Sequence, residues 1–170
     1  AELKKSITDK TRAIIINSPS NPTGVVYTQE ELKALGEIAI QHDLYIISDE
    51  IYEYLIYDGA KHVSMASLGK EFYDRTIIIN GMSKSYSMTG WRIGYAAAPL
   101  AVAKAMNNIQ SHATSNPNSI AQKAALVALT ADQTFIHEMC DVFSKRRNYM
   151  YNRLINIPGF EVIKPEGAFY

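Results

Sequence analysis

The 170 residues carry 17 lysines and arginines against 17 aspartates and glutamates, and 47% of them are hydrophobic. A formal net charge of zero gives no electrostatic footing for nucleic acid or an anionic membrane surface, so a small neutral or zwitterionic ligand fits better. The hydrophobic share is that of an ordinary globular domain with a sizeable core. Cys140 is the single cysteine, which excludes an internal disulfide and fits a buried thiol in a reducing compartment. No apolar stretch approaches the ~18 residues of a membrane span. The opening AELKKSITDKTR lacks the pattern of a signal peptide, so the cytosol is the expected compartment.

In chain order, a charged, helical-looking stretch comes first. Residues 12–17 (RAIIIN) are a β-branched run halted by SPSNPTG, which predicts a buried strand followed by a rigid loop. Thr28, followed by Gln29, Glu30 and Glu31, is a capping-box signature. Leu32, Leu35, Ile38 and Ala39 then recur at helical spacing, predicting a helix that ends near His42. Further apolar runs at Leu44–Ser48, Thr76–Asn80 and Ile93–Ala98 predict three more strands. Strand, helix, strand is the pattern of an α/β sheet buried on both faces.

From Pro99 the pattern turns helical. Val102, Ala105, Met106 and Ile109 mark one helix, and a second runs from about Ser119 to Leu129. Asp132 caps a third, extending to about Ile155, long enough to bridge two units. After Pro158–Gly159, FEVIKPEGAFY reads as two strands of a second unit. Residues 1–136 are therefore expected to be the central part of one domain, and 137–170 a bridging helix with the start of another. The chain has the look of a piece of something longer.

Asn21, Asp49 and Lys84 each fall just beyond the carboxyl end of a predicted strand, the edge where open α/β sheets bind ligands. Tyr52 follows Asp49 by three residues, close enough for both to address one ligand. Taken singly, such residues have ordinary explanations: a turn or cap for the aspartate, packing for the tyrosine, solvation for the lysine, a surface ion pair for Arg92. His42, His62, His112 and His137 show neither metal-ligand spacing nor a nucleophile partner, and read as helix-surface or loop residues. Gly24, Gly90 and Gly94 read as turn glycines.

Taken together, SPSNPTG, SDEIYEYL and GMSKSYSMTGWRIG occur in order over about half the chain. The array resembles the pyridoxal-phosphate aminotransferases of fold type I, class I/II, and the closing PEGAFY belongs to the same resemblance. That resemblance implies a three-layer α/β/α sandwich around a mostly parallel sheet, with the strand at 93–98 its antiparallel member, and a homodimer when intact. It implies pyridoxal 5'-phosphate as cofactor and an amino acid and a 2-oxo acid as substrates.

By the same resemblance Lys84 condenses with the cofactor aldehyde and shuttles a proton. Asp49 keeps the pyridine nitrogen protonated, Tyr52 and Asn21 hydrogen-bond the ring oxygen, and Arg92 meets the phosphate. Many relatives carry a hydroxyl where this chain has Gly81, so a backbone contact is expected there, and Ser83, with Ser85 its alternative, is a further cofactor contact. The polar stretch 110–118 corresponds to a region that approaches the partner subunit's site. A glycine/hydroxyl phosphate loop, a ring-stacking aromatic and a substrate-carboxylate arginine, all expected of the family, are not found in these residues. The chain alone is therefore expected not to turn over an amino acid. A carbon–sulfur lyase, or the aminotransferase-like domain of a transcription regulator, would share the lysine motif.

Overall fold

Alternation along Ala13–Asn17 (β1) buries Ile14 and Ile16 and turns Ile15 outward, where it is 74% exposed. The computed structural model describes residues 2–170. Beside β1 lie β2 (Tyr45–Asp49), β3 (Thr76–Gly81) and β4 (Gly94–Ala97), in the order β1-β2-β3-β4. The first three strands are parallel and β4 is antiparallel to β3, as the resemblance implied.

Parallel neighbours need a crossover, and α2 (Gln29–Gln41) makes the one between β1 and β2. Its start is the capping box expected from sequence: Glu31 N–H donates to Thr28 Oγ1 at 3.2 Å, and Thr28 N–H to the Glu31 carboxylate at 2.8 Å. Between β2 and β3 run a 3₁₀ turn, Met65–Leu68, and the short α3, Lys70–Tyr73. Ile14, Ile16, Leu32, Ala39, Leu44, Ile46, Met65 and Phe72 form the core between these helices and one face of the sheet. A Cβ at Gly36 would sit 2.5 Å from the Phe72 ring, so a glycine there lets α2 settle onto α3. The charged opening stretch is α1, Glu2–Ser6.

The helical half follows its pattern: α4 is Leu100–Ala113, α5 Ser119–Thr130 and α6 Thr134–Leu154. Asn118 caps α5, accepting from the N–H groups of Ile120 and Ala121. Asp132 is one residue too early to be the cap of α6, a position held by Gln133; its carboxylate instead accepts from Thr134 N–H at 2.9 Å and the Thr134 hydroxyl at 2.7 Å.

The two strands expected within FEVIKPEGAFY do not form. Pro165 has no N–H to give a ladder, and Ala168 adopts a left-handed φ of 58° that interrupts any extended run. Gly167 makes only an isolated antiparallel bridge to Ile56. The segment docks instead on two loops: Glu166 and Gly167 donate to Gly24 O at 2.9 and 2.8 Å, and Ala168 donates to Leu55 O at 2.8 Å. None of the described helices is long and apolar enough to cross a membrane.

Candidate active site

Three loops leave the same edge of the sheet because β1, β2 and β3 are parallel and in register, Asn17 beside Asp49 and Asp49 beside Ile79. The first loop carries Asn21, the second Tyr52 and the third Lys84, so the strands deliver all of them to one end of the molecule. Asp49 is the last residue of β2 itself rather than the first beyond it.

Asn17, which sequence reasoning passed over, braces two of these positions. Its amide nitrogen donates to Asp49 O at 3.2 Å, and its amide oxygen accepts from Asn21 N–H at 2.6 Å. Ser18 N–H also donates to Asp49 O at 3.2 Å. The available signal was a lone polar residue closing an otherwise aliphatic strand. On the side chain of Asp49, Oδ1 accepts from Ile51 N–H at 3.2 Å.

Tyr52 is only 2% exposed, and its hydroxyl lies 3.0 Å from that of Tyr170. Burial above all, then the Tyr170 hydrogen bond and charge and the charge of Asp49, push its ionisation far above the usual tyrosine range; the Asn21 side chain pulls weakly the other way. Near neutral pH Tyr52 is therefore a phenol with a proton to donate.

Lys84 Nζ stands 5.5 Å from the centre of the Tyr52 ring and 5.2 Å from that of Phe169. Among the described residues no carboxylate forms a salt bridge with it. Its loop is pinned by Met82 N–H to Ile93 O at 3.3 Å, and by buried Met82 and Tyr86, which pack with Ile136. A Cβ at Gly81 would lie 2.8 Å from Gly94 Cα, so this pair of glycines lets β3 and β4 close up just before the lysine. Gly94 is thus a close-approach glycine within a strand, not a turn glycine. Gly24, with φ of 68° and Pro165 against it, does make a turn, whereas Gly90 has open space around it.

Other expected contacts stand apart from this group. Arg92 has a left-handed backbone, φ 53°, and its Nη1 donates to Thr89 O at 2.9 Å; no hydrogen bond joins it to Lys84, Asp49, Tyr52 or Asn21. Ser83 enters through its carbonyl, which accepts from the Thr89 hydroxyl at 3.0 Å. Ser85 is buried, and its Oγ has no partner among the described residues. His62 lies in a loop, as expected, but packs against the buried carboxylate of Glu50. The described residues hold no cluster of three or more His, Cys, Asp or Glu able to bind a metal.

The closing segment supplies what sequence reasoning missed most plainly. Phe169 meets the Tyr52 ring edge-on at 5.5 Å and stacks on Phe143 of α6 at 5.7 Å. Arg147 holds the segment down, donating to Pro165 O at 2.9 Å and to Asp58 at 2.7 Å, and Lys164 meets the same Asp58 at 2.7 Å. Between α6 and this segment lies a cavity of about 480 Å³ whose walls include Phe143, Arg147, Phe169 and Tyr170. An amine without an ion-pair partner, a carboxylate, a phenol and an amide fit the aldehyde, pyridine nitrogen and ring oxygen of pyridoxal phosphate. None of these four groups answers its phosphate; Arg92, the cation expected there, stands apart from them with Nη1 donating to Thr89 O.

Residues 1–170 match the family model "Aminotransferase class I and II". Among curated relatives, an aspartate aminotransferase of Geobacillus stearothermophilus is 58% identical over 99% of this chain and 43% of its own length. One of Bacillus subtilis is 59% identical with the same coverage. Among solved structures, an aspartate aminotransferase from Rhizobium meliloti superposes with a TM-score of 0.95 at 43% identity, covering 98% of this chain and 42% of the other. An aromatic aminotransferase from Pyrococcus horikoshii gives 0.93 at 43% identity, covering 98% and 45%. The chain therefore spans less than half the length of the curated relatives it matches.

Proposed function

The chain belongs to the class I and II aminotransferases, and from that premise we propose that the whole protein moves an amino group from an L-amino acid to a 2-oxo acid with pyridoxal 5'-phosphate as cofactor. One observation carries the reading. Lys84 Nζ, the amine of the family motif, lies without a carboxylate partner against Tyr52, at the sheet edge where Asp49 and Asn21 also converge. The names of the relatives make L-aspartate the first amino donor to test.

When bound, the cofactor supplies an aldehyde that condenses with amines and a pyridinium ring that accepts an electron pair from a substrate carbon. Lys84 is its covalent anchor, and the same Nζ takes the substrate α-proton and returns it. Asp49 holds a proton on the ring nitrogen, a task suited to a carboxylate whose other oxygen is steadied by Ile51 N–H. Tyr52 donates from its hydroxyl and Asn21 from its amide to the ring oxygen. Arg92 is the phosphate ligand, with N–H donors to spare beyond the one given to Thr89 O, and Ser83 is the weaker cofactor contact. Phe169 and the Tyr52 ring shield Nζ from water on one side.

In this reading 1–136 form the central part of the cofactor domain, and 137–170 the bridging helix and the start of a second unit. The intact protein is a homodimer in the cytoplasm. The test is a titration of the chain and of Lys84→Ala with pyridoxal phosphate, followed by absorbance. A saturable visible band in the parent chain, absent from the variant, is the expected result. The same band in both sinks the assignment of Lys84.

A further inference from the structure

Asp49 and Glu50 are consecutive carboxylates with opposite surroundings. Asp49 closes β2 at the sheet edge, while Glu50, one residue on, is only 3% exposed. Its Oε1 accepts from the Ser48 hydroxyl at 2.8 Å, the Ser64 hydroxyl at 3.0 Å and Met65 N–H at 3.2 Å. Its Oε2 lies 3.2 Å from His62 Nε2, whose ring is largely buried too. The Glu50 backbone N–H donates to Ile79 O at 2.9 Å. One side chain thus ties the end of β2 to the loop 62–65, and its main chain ties it to β3.

A buried carboxylate is a costly way to stabilise a turn, because apolar packing of similar volume usually serves as well. What a fully bonded buried carboxylate does provide is a fixed orientation. Side chains alternate along a strand, so holding Ser48 and Glu50 on the core side turns Asp49 the other way, toward the Tyr52 and Lys84 side. We propose that Glu50 and His62 form a positioning pair for Asp49: the imidazole locks the Glu50 carboxylate to the loop 62–65, and the locked turn holds the Asp49 carboxylate in place for the cofactor ring. This rests on the function proposed above. Neither residue touches the reacting atoms. The other charged group facing the pair is Glu53, itself bonded to Asn80 Nδ2 at 2.7 Å.

Ile51 N–H donates to Asp49 Oδ1, so its hydrogen exchange reports the placement of that carboxylate without any cofactor. The experiment measures exchange at Ile51 and at Ile46 and Ile47 of β2, together with the dissociation constant for pyridoxal phosphate. It uses the 170-residue chain and the variants His62→Leu, His62→Gln, Glu50→Gln and Ser67→Ala. Ser67 donates to Ser64 O in the same region without touching the pair, so its variant is the control. In His62→Leu, exchange at Ile51 is expected to quicken about tenfold relative to Ile46 and Ile47, and the dissociation constant to rise about tenfold. His62→Gln, which keeps a donor, recovers most of both, and Ser67→Ala changes neither. Should His62→Leu fail to fold, Glu50→Gln carries the same two readouts in the same direction.

Exchange that quickens equally at Ile46, Ile47 and Ile51 means the pair is structural only and overturns the proposal. So does faster exchange at Ile51 with unaltered cofactor affinity. If the parent chain binds no cofactor, it is the formation of the pocket by these residues alone that fails, and selective exchange at Ile51 still decides whether the pair places Asp49.

Discussion

At the scale of single residues, the candidate site is a set of short polar side chains whose positions depend on one another. Asn17 shows this best, since one amide braces the main chain at both Asp49 and Asn21. Asn17→Ala is expected to weaken pyridoxal phosphate binding about tenfold, the loss of one partly buried and one exposed hydrogen bond, as read by absorbance titration. Unchanged affinity would mean that the loop holds Asn21 without it. Glu50 gives a pH dependence. Its pKa is lowered: burial, the largest influence, raises it, but the His62 and Ser48 hydrogen bonds, the His62 charge and the Ser64 hydrogen bond together outweigh that. A carboxylate lowered on folding contributes stability above its unfolded pKa and loses it as pH falls through the folded value. The denaturation midpoint should therefore drop on acidification below the ordinary carboxylate range, and drop less in Glu50→Gln. Glu53, raised mainly by burial, has the opposite sign: its contribution is full below its unfolded pKa and is lost as pH rises through its folded value. Parallel acid limbs in the parent chain and in Glu50→Gln would contradict the assignment. Asn21, Asp49, Tyr52 and Lys84 were legible as a group because strand ends placed three of them at one edge and the motifs SPSNPTG, SDEIYEYL and GMSKSYSMTGWRIG carried all four in order. Phe169 and Tyr170 were not, because their contacts with Tyr52 join segments more than a hundred residues apart, and the partner of His62 was not, because a loop of irregular backbone brings it back to Glu50.

At the scale of elements, the strands and helices could be read because local pattern and burial agree. β-branched runs became parallel strands, and the Thr28 capping box opened α2 as its spacing required. Thr28→Ala is expected to cost about 1 kcal/mol in chemical denaturation, the usual worth of such a cap; no loss would mean that Glu31 and the preceding loop hold the helix start unaided. Gly81→Ala should cost more, about 1–3 kcal/mol, because the new Cβ meets the backbone of Gly94 rather than a movable side chain. It should also disturb the loop carrying Lys84, whereas Gly90→Ala, in open space, should be close to neutral. Equal effects of the two substitutions would undo the close-approach argument. The closing segment defied pattern reading for a physical reason. Its apolar content resembles that of a strand, but Pro165 and the left-handed Ala168 deny it a ladder, and Arg147 with Asp58 holds it as an irregular strap.

At the scale of the whole molecule, the sheet and its loops bring Lys84, Asp49, Tyr52 and Asn21 to one edge. The cavity beside α6 offers space next to Phe169 and Tyr170. The chain nevertheless spans less than half of its curated relatives, and Arg92 stands apart from the group, with Nη1 donating to Thr89 O. The 170 residues alone are expected to form no detectable oxaloacetate from L-aspartate when a different 2-oxo acid is offered as acceptor; sustained turnover would contradict that expectation. Short of turnover, these residues are expected to form a pocket that selects one lysine. Its most direct test is borohydride reduction of the chain after incubation with pyridoxal phosphate, followed by peptide mapping. A label confined to the peptide carrying Lys84 is the result expected, and labels scattered over exposed lysines such as Lys70 and Lys104, with none on Lys84, would contradict it.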